Sequence, residues 1–417
     1  MYQSFSRLRD GNMAKIVNIP WSNVNCEGDI VNTLIWNRWL LRVLGIWPLV
    51  YPNTTKIEKI IAMFSFVLCW IVLSLFLVLT SIYTFSERSI MREKMKMLGP
   101  LGYVFFSMLK YFFLVARHKS IRQCVQVLSA DWRRVEEDDH REIMMRGAEK
   151  GHLLSKFCIA FMYCGGLSYN TIMPFLSQTS EQNVTVRPMA YLGFDILFNL
   201  QLMPVYVFAF CLQCVTGIVM FNITTVVCCL AAMFVAHACG QVDIVLARVK
   251  SLVKGEKRNR VQFEQCMAII VQHHVRVLRF SANIEDTLRE ICLVEFVGTT
   301  LIMCLIEYSL ITEWNNSDSI AILTYFFLFV SFAFNIFMFC HIGELLTEQC
   351  IKVGYTSYKI EWYELPGKAA LDLMFMITMS RHPVQITAGK LISLSFTNFG
   401  NVLKTSVAYM NLIRTAL

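Results

Sequence analysis

IIAMFSFVLCWIVLSLFLVLTSIY, residues Ile60–Tyr83, contains no charged side chain. As a helix it would be about 36 Å long, more than the roughly 30 Å hydrocarbon core of a bilayer. This stretch decides the class of fold. The rest of the chain agrees: 56% of its 417 residues are hydrophobic and 16% charged, against about 25% charged in a soluble domain. Mean hydropathy is +0.50. The first thirty residues hold Arg7, Arg9, Asp10, Lys15 and Glu27 and no apolar run of signal-peptide length, so the first span is expected to do the targeting.

Outward from that span, six further candidates follow at about Met97–Ala116, Phe157–Leu176, Met203–Cys229, Ile291–Ile311, Ser319–Cys340 and Leu391–Ile413. The fourth lies inside an uncharged run from Ile196 to Val242, the second is interrupted by Lys110, and the fifth contains Glu295 and Glu307. Ala369–Ser380 is apolar but too short to span, and reads as an interfacial or packed cytoplasmic helix.

Lysine and arginine orient the chain. Residues 1–56, 117–150, 248–289 and 341–390 hold 28 of them, and the three alternate loops hold five. Basic residues stay on the cytoplasmic side, which places the N-terminus inside and, after seven crossings, the C-terminus outside. The sequons at Asn183 and Asn315 fall in the outer loops, whereas those at Asn53 and Asn222 do not. A G-protein-coupled receptor has seven spans in the reverse orientation, and the chain lacks Asp-Arg-Tyr and Asn-Pro-x-x-Tyr. A transporter would show inverted repeats or paired broken helices, and neither is present.

The connections read as structured. RHKSIRQCVQVLSADWRRVEEDDHREIMMRGAEKGHLLSKF, residues 117–157, extends the second and third spans as helix. Before the fifth span, Met267, Ile270, Val271, His274, Leu278, Ser281, Ile284, Leu288 and Ile291 recur at helical spacing. Such a stripe needs a partner surface, so a cytoplasmic helical layer is expected from the lower ends of spans four to seven. The outer loop Ser177–Leu202 turns amphipathic and reads as a lid or rim.

No catalytic constellation is present: no P-loop, no G-x-S-x-G, no H-E-x-x-H. Cys211 and Cys214 form a C-x-x-C in mid-span with no second pair, and His273 and His274 point to different faces, so neither a metal nor a cofactor is expected. Intramembrane acids are functional candidates by default. Glu295 and Glu307 are read either that way or as partners of a neighbouring helix. Aromatic residues cluster at Tyr103, Phe105 and Phe106, at Phe161, Tyr163 and Tyr169, at Tyr206, Phe208 and Phe210, and at Tyr325–Phe329, with Gly165 and Gly166 leaving room between helices. All four groups fall toward the outer leaflet, as an apolar ligand pocket would require; lipid and core packing explain most such residues equally.

WNRWLLRVLGIWP (Trp36–Pro48), HHVRVLRFSANIEDTL (His273–Leu288), GELLTEQCIKVGYTSYKIEWYELP (Gly343–Pro366) and RHPVQITAGKLISLSFTNFGNVLKTSVAYMNLI (Arg381–Ile413) together resemble the insect odorant receptor family. The resemblance implies a subunit of an odorant-gated, non-selective cation channel in the plasma membrane of olfactory sensory neurons. Its partners would be the bilayer, a small volatile hydrophobic ligand and an odorant co-receptor in a heterotetramer, with no nucleic acid. The short stretch VKGEKRNRVQ before the fifth span resembles the tuning subunits rather than the co-receptor.

The family's outer pocket matches Phe105, Phe106, Met162, Gly165, Tyr169, Phe208, Leu212 and Tyr325. Its constriction matches Leu412 and its polar ring Thr415, with Ala408 and Asn411 on the same pore-lining helix. The implied organisation is a cytoplasmic segment with a pre-span helix (1–56), a ligand-binding bundle of spans one to four (57–240), cytoplasmic extensions (241–290), spans five and six (291–345), a cytoplasmic anchor (346–390) and the pore helix (391–417). On a helical projection Ser393, Thr397, Gly400, Lys404, Ala408, Asn411 and Thr415 share one side of that helix, and Phe399, Val402, Ser406 and Ile413 the other. Lys404, which would repel cations on the axis, is expected at the edge of the stripe, pairing with a neighbouring helix or reaching a wet crevice.

Overall fold

The computed structural model describes residues 23–416 except 24, 87–90, 136, 173–188, 190, 192–193, 195–201, 255–259, 317–318 and 365–366. The helices are α1 (Cys26–Val43), α2 (Trp47–Val50), α3 (Lys56–Phe85), α4 (Met91–Ala116), α5 (His118–Arg134), α6 (Asp138–Leu167), α7 (Met203–Lys254), α8 (Arg260–Asn316), α9 (Ser319–Lys359), α10 (Gly367–Ser380) and α11 (Phe396–Ala416). The seven stretches read as spans fall on α3, α4, α6, α7, α8, α9 and α11. Five of these, α3, α4, α7, α8 and α9, are long and apolar enough to cross a membrane by length and composition alone. The apolar end of α6 continues through a π-helical turn, Ser168–Ile172, and α11 is the more polar helix, carrying Thr397, Asn398, Asn401, Lys404 and Asn411.

The first span begins as its sequence dictates. Thr55 Oγ1 accepts from the Glu58 N–H and the Glu58 carboxylate accepts from the Thr55 N–H, both at 3.2 Å. This capping box satisfies two of the donors a helix start leaves open. Glu58 also pairs with Arg42 of α1. The turn between α1 and α2 presses on the same helix. Gly45 sits at φ +71°, and a Cβ there would fall on the Ala62 carbonyl and 2.7 Å from the Phe66 nitrogen, so only glycine fits. The outward face of α3, Ile57, Ile60, Phe64 and Ile71 among others, stays exposed, as lipid contact requires.

The uncharged run that reads as the fourth span is the centre of the bundle: 94% of the most apolar window of α7 is buried inside the protein. Its longest seam is with α6, where small residues let the backbones close. A Cβ at Gly147 would lie 3.2 Å from the Ala236 carbonyl, and one at Gly151 3.1 Å from the Ala236 Cβ.

The cytoplasmic layer is present. Val245 and Val249 of α7, Met267 and Ile270 of α8, Val353 of α9, and Leu373 and Met376 of α10 form a second core. Met267, Ile270, His274, Ser281, Ile284, Leu288 and Ile291 of the expected stripe are buried, and Val271 and Leu278 half-buried. α1 is pinned to α6 by Asp29, whose carboxylate accepts two 2.9 Å bonds from Arg141. A two-stranded ribbon, Thr387–Ala388 against Ile392–Ser393, turns the chain into α11. It docks on α8, where Gly389 N–H donates to the Arg289 carbonyl at 2.9 Å and Thr387 to Glu285 at 2.7 Å.

Candidate functional site

A cavity opens at the end of the bundle that the charge count assigns to the outside. Lys96, Pro100 and Tyr103 of α4, Tyr169 of the π-turn, Tyr191, Phe221 of α7, Ile302, Leu305, Ile306 and Ser309 of α8, and Tyr325, Leu328 and Phe332 of α9 line it. It is a narrow cavity of about 40 Å³. Its walls are apolar and aromatic: Tyr169 stands 5.5 Å from Tyr191 and 6.2 Å from Tyr325 between ring centroids, and Tyr103 stands edge-on to Phe332 at 5.2 Å. Pro100 has no N–H for the Lys96 carbonyl, which loosens the first turns of α4 at the cavity's edge. Lys96 itself pairs with Glu313 of α8, bridging two walls at the mouth.

Beneath the cavity lies a charged clamp. Lys110 Nζ is 2.9 Å from Glu295 Oε2, with side chains 3% and 0% exposed. Lys110 donates to Thr224 Oγ1 at 2.6 Å, and Thr224 meets the Tyr103 hydroxyl at 3.1 Å. Asn335 and Thr299 donate to Glu295 Oε1 at 2.6 and 3.0 Å. One network thus ties α4, α7, α8 and α9 and fixes the ring that floors the cavity. A buried ion pair needs further polar partners to be tolerable: Asn335 and Thr299 meet Glu295 Oε1, Thr224 meets Lys110, and among the described residues Oε2 has the Lys110 ammonium alone. Glu307 is also partnered: Ser406 of α11 donates to its Oε1 at 2.8 Å. Both intramembrane acids therefore bind neighbouring helices.

Of the residues read as pocket, Tyr169 and Tyr325 line the cavity. Met162 is buried in the core and Leu212 packs against it. Phe106 fills the notch at Gly298, where a Cβ would come within 2.7 Å of its ring. Phe105 and Phe208 are 47% and 58% exposed, on the outer faces of their helices. The room expected at Gly165 and Gly166 is taken by the Ser331 hydroxyl and the Phe221 ring. Most of the lid segment 177–202 and the sequon at Asn183 lie outside the described residues, as does the Asn315 side chain. Two residues of the lid, Tyr191 and Phe194, plug inward against Phe76. The wall from α8 had no sequence signal beyond aliphatic residues at helical spacing.

On α11, Val402, Ser406 and Met410 face the protein. Thr397, Lys404, Ala408, Asn411, Leu412 and Thr415 are exposed, and Leu412 is 65% exposed. The polar stripe therefore points away from the rest of this chain. Among the described residues Lys404 has no ion-pair partner.

The model of a family described as 7tm Odorant receptor matches residues 90–407. The chain belongs to that family. Odorant receptor 13a of Drosophila melanogaster is 25% identical over 197 residues, 44% of this chain and 46% of the relative. Odorant receptor Or2 of Anopheles gambiae is 21% identical over 340 residues, 76% of this chain and 83% of the relative. The stretch shared with the first of these spans about half of the relative's length. In structure the chain resembles the insect olfactory receptor OR5 from Machilis hrabei in complex with eugenol, with a TM-score of 0.76 and 12% identity over 93% of this chain and 100% of the other. OR5 without that ligand gives 0.72 at 14% identity, over 92% and 99%. That likeness shows the fold, the seven-span helical one; family membership and the long apolar helices make the chain a multi-pass membrane protein. Family membership agrees with a sequence that carries receptor features and no catalytic set.

Proposed function

We propose that the chain is an odorant-binding subunit of a ligand-gated, non-selective cation channel in the plasma membrane of olfactory sensory neurons, working with a co-receptor in a heterotetramer. The observation that carries this reading is the aromatic cavity at the outer end, walled by five of the seven spans. Its tyrosines and aliphatics suit a small volatile molecule, as eugenol suits OR5. We narrow the pocket to Tyr103, Tyr169, Tyr191, Phe221, Tyr325 and Phe332, with Phe105, Phe106, Met162, Gly165, Phe208 and Leu212 as surrounding structure.

The exposed stripe of α11 supports the second half of the reading. Four copies of α11 around an axis would present Ala408, Asn411, Leu412 and Thr415 to a common path, with Leu412 as an apolar ring that gates by dewetting. A ligand opens such a gate only through its preference for the open arrangement.

The test is current recording from cells expressing the chain with and without a co-receptor, over a panel of volatiles headed by eugenol. Odorant-evoked cation current that requires this chain and is right-shifted by Tyr169→Ala or Tyr325→Ala supports the reading. An extracellular N-terminus, shown by tag staining without permeabilisation, would instead return the chain to the G-protein-coupled class.

A further inference from the structure

The fifth span has two working faces. Between Ile302 and Ser309 it gives four residues to the cavity wall. Glu307, one residue past Ile306 and so turned by about 100°, faces α11. Its carboxylate is buried, at 9% exposure, and Oε1 accepts from Ser406 Oγ at 2.8 Å. Ser406 is wholly buried at the middle of the inward stripe Val402, Ser406, Met410. Among the described residues no other side chain of α11 hydrogen-bonds to a different helix.

We propose that this single hydrogen bond carries ligand occupancy from the cavity wall to the pore helix, which makes Glu307 and Ser406 positioning residues for gating. Two details suit it to switching rather than to fastening. Ser406 Oγ also lies 2.9 Å from the Leu403 carbonyl of its own helix. A hydroxyl has one hydrogen to donate, so it holds either Glu307 or its own backbone, and turning from one to the other breaks the hydrogen bond between α11 and α8 while the Ser406 donor stays satisfied. Among the described residues Glu307 Oε2 is buried without a hydrogen-bond partner, so Ser406 is the carboxylate's one hydrogen-bond anchor there. A ligand that pushes on Ile302 or Ile306 shifts the backbone that bears Glu307, and the choice of acceptor follows.

The inference rests on α11 lining the pore, and its test separates the two. The full chain with its co-receptor is expressed as wild type, Glu307→Ala, Ser406→Ala and the double variant. Each is measured for surface level and for the concentration response to the panel volatile that gives the largest current. Contacting residues couple strongly: each single variant is expected to shift the midpoint about tenfold at equal surface level, the double variant by no more than either single, and Ser406→Thr to restore the wild-type midpoint. Shifts that multiply to about a hundredfold in the double variant, no shift at all, or failure of threonine to rescue would overturn the proposal. Should Glu307→Ala not reach the surface, Glu307→Leu, which fills the same space without an acceptor, completes the same cycle with Ser406→Thr and Ser406→Ala. Alongside, Asn411→Cys is treated with a cationic thiol reagent. Block of the current with independent shifts removes the coupling and leaves the pore standing; no effect of the reagent removes the pore reading itself.

Discussion

Lys110→Met isolates the charge balance beneath the cavity. Methionine keeps the length and apolar stem of lysine and removes the ammonium. Glu295 retains its bonds from Asn335 and Thr299 on Oε1 and loses its one partner on Oε2. An uncompensated buried charge costs about 3–5 kcal/mol. Adding Glu295→Gln removes that charge, preserves an acceptor for Asn335 and Thr299, and leaves at most one amide N–H₂ unsatisfied, a cost of about 1–3 kcal/mol. The double variant should therefore recover about 2 kcal/mol over Lys110→Met, roughly thirtyfold in the folding equilibrium. Thermal unfolding of the detergent-solubilised protein reads this. At about 2–4 °C per kcal/mol in a long chain, the single variant falls by roughly 10 °C and the double by about half as much. If the double variant is no more stable than Lys110→Met, charge compensation is not what the pair provides.

Gly45→Ala should cost several kcal/mol and lower surface expression sharply, because a left-handed φ and the Ala62 carbonyl both oppose a side chain; unchanged expression would mean that the α1–α2 turn can shift. Leu412→Ala should raise ligand-independent leak by widening the apolar ring, measured as holding current without odorant. His273 is held neutral by burial, with the Arg276 and Arg248 charges assisting, and its pKa falls to about 3, while burial alone takes His274 to about 4. Stability from these groups is complete above the unfolded value near 6.5 and is lost as pH falls toward the folded values, because only the unfolded chain takes up the protons. Each contributes a slope of up to about 1.4 kcal/mol per pH unit. His273→Gln should halve the part of the slope that the two supply between pH 6.5 and 5, and an unchanged slope contradicts the burial argument.

Spans were legible where lipid wrote the sequence. Ile60–Tyr83 is uncharged because its outer face meets acyl chains, and the run through the middle of α7 is uncharged because it is packed in protein. The two patterns look alike as strings and differ only in who the neighbours are. Lys110 read as an interruption and Glu295 as an isolated acid, because the bond joining them spans 185 positions of chain. The aromatic clusters fall at the end of the bundle where the cavity opens, but the string does not tell one helix face from another: Phe105 and Tyr103 are two residues apart, and a 200° turn separates the exposed face from the cavity wall. The ribbon at Thr387–Ser393 has two residues per strand, too few for any alternation to show. The outward face of α11 was legible because small and polar residues repeat there at helical spacing.

α8 runs unbroken for 57 residues, about 85 Å of helix, with no proline and a single glycine that the Phe106 ring already occupies. It has no joint. The cavity wall at Ile306 and the cytoplasmic core at Ile270 lie about 54 Å apart on one stiff beam. A beam without a joint tilts, slides or spins largely as a whole, so a lateral shift at the cavity end is carried toward the cytosolic end, reversed in direction if the fulcrum lies between them. The two sides of the membrane are in this sense geared together, and a displacement at the cytoplasmic end of α8 would be felt in the cavity wall.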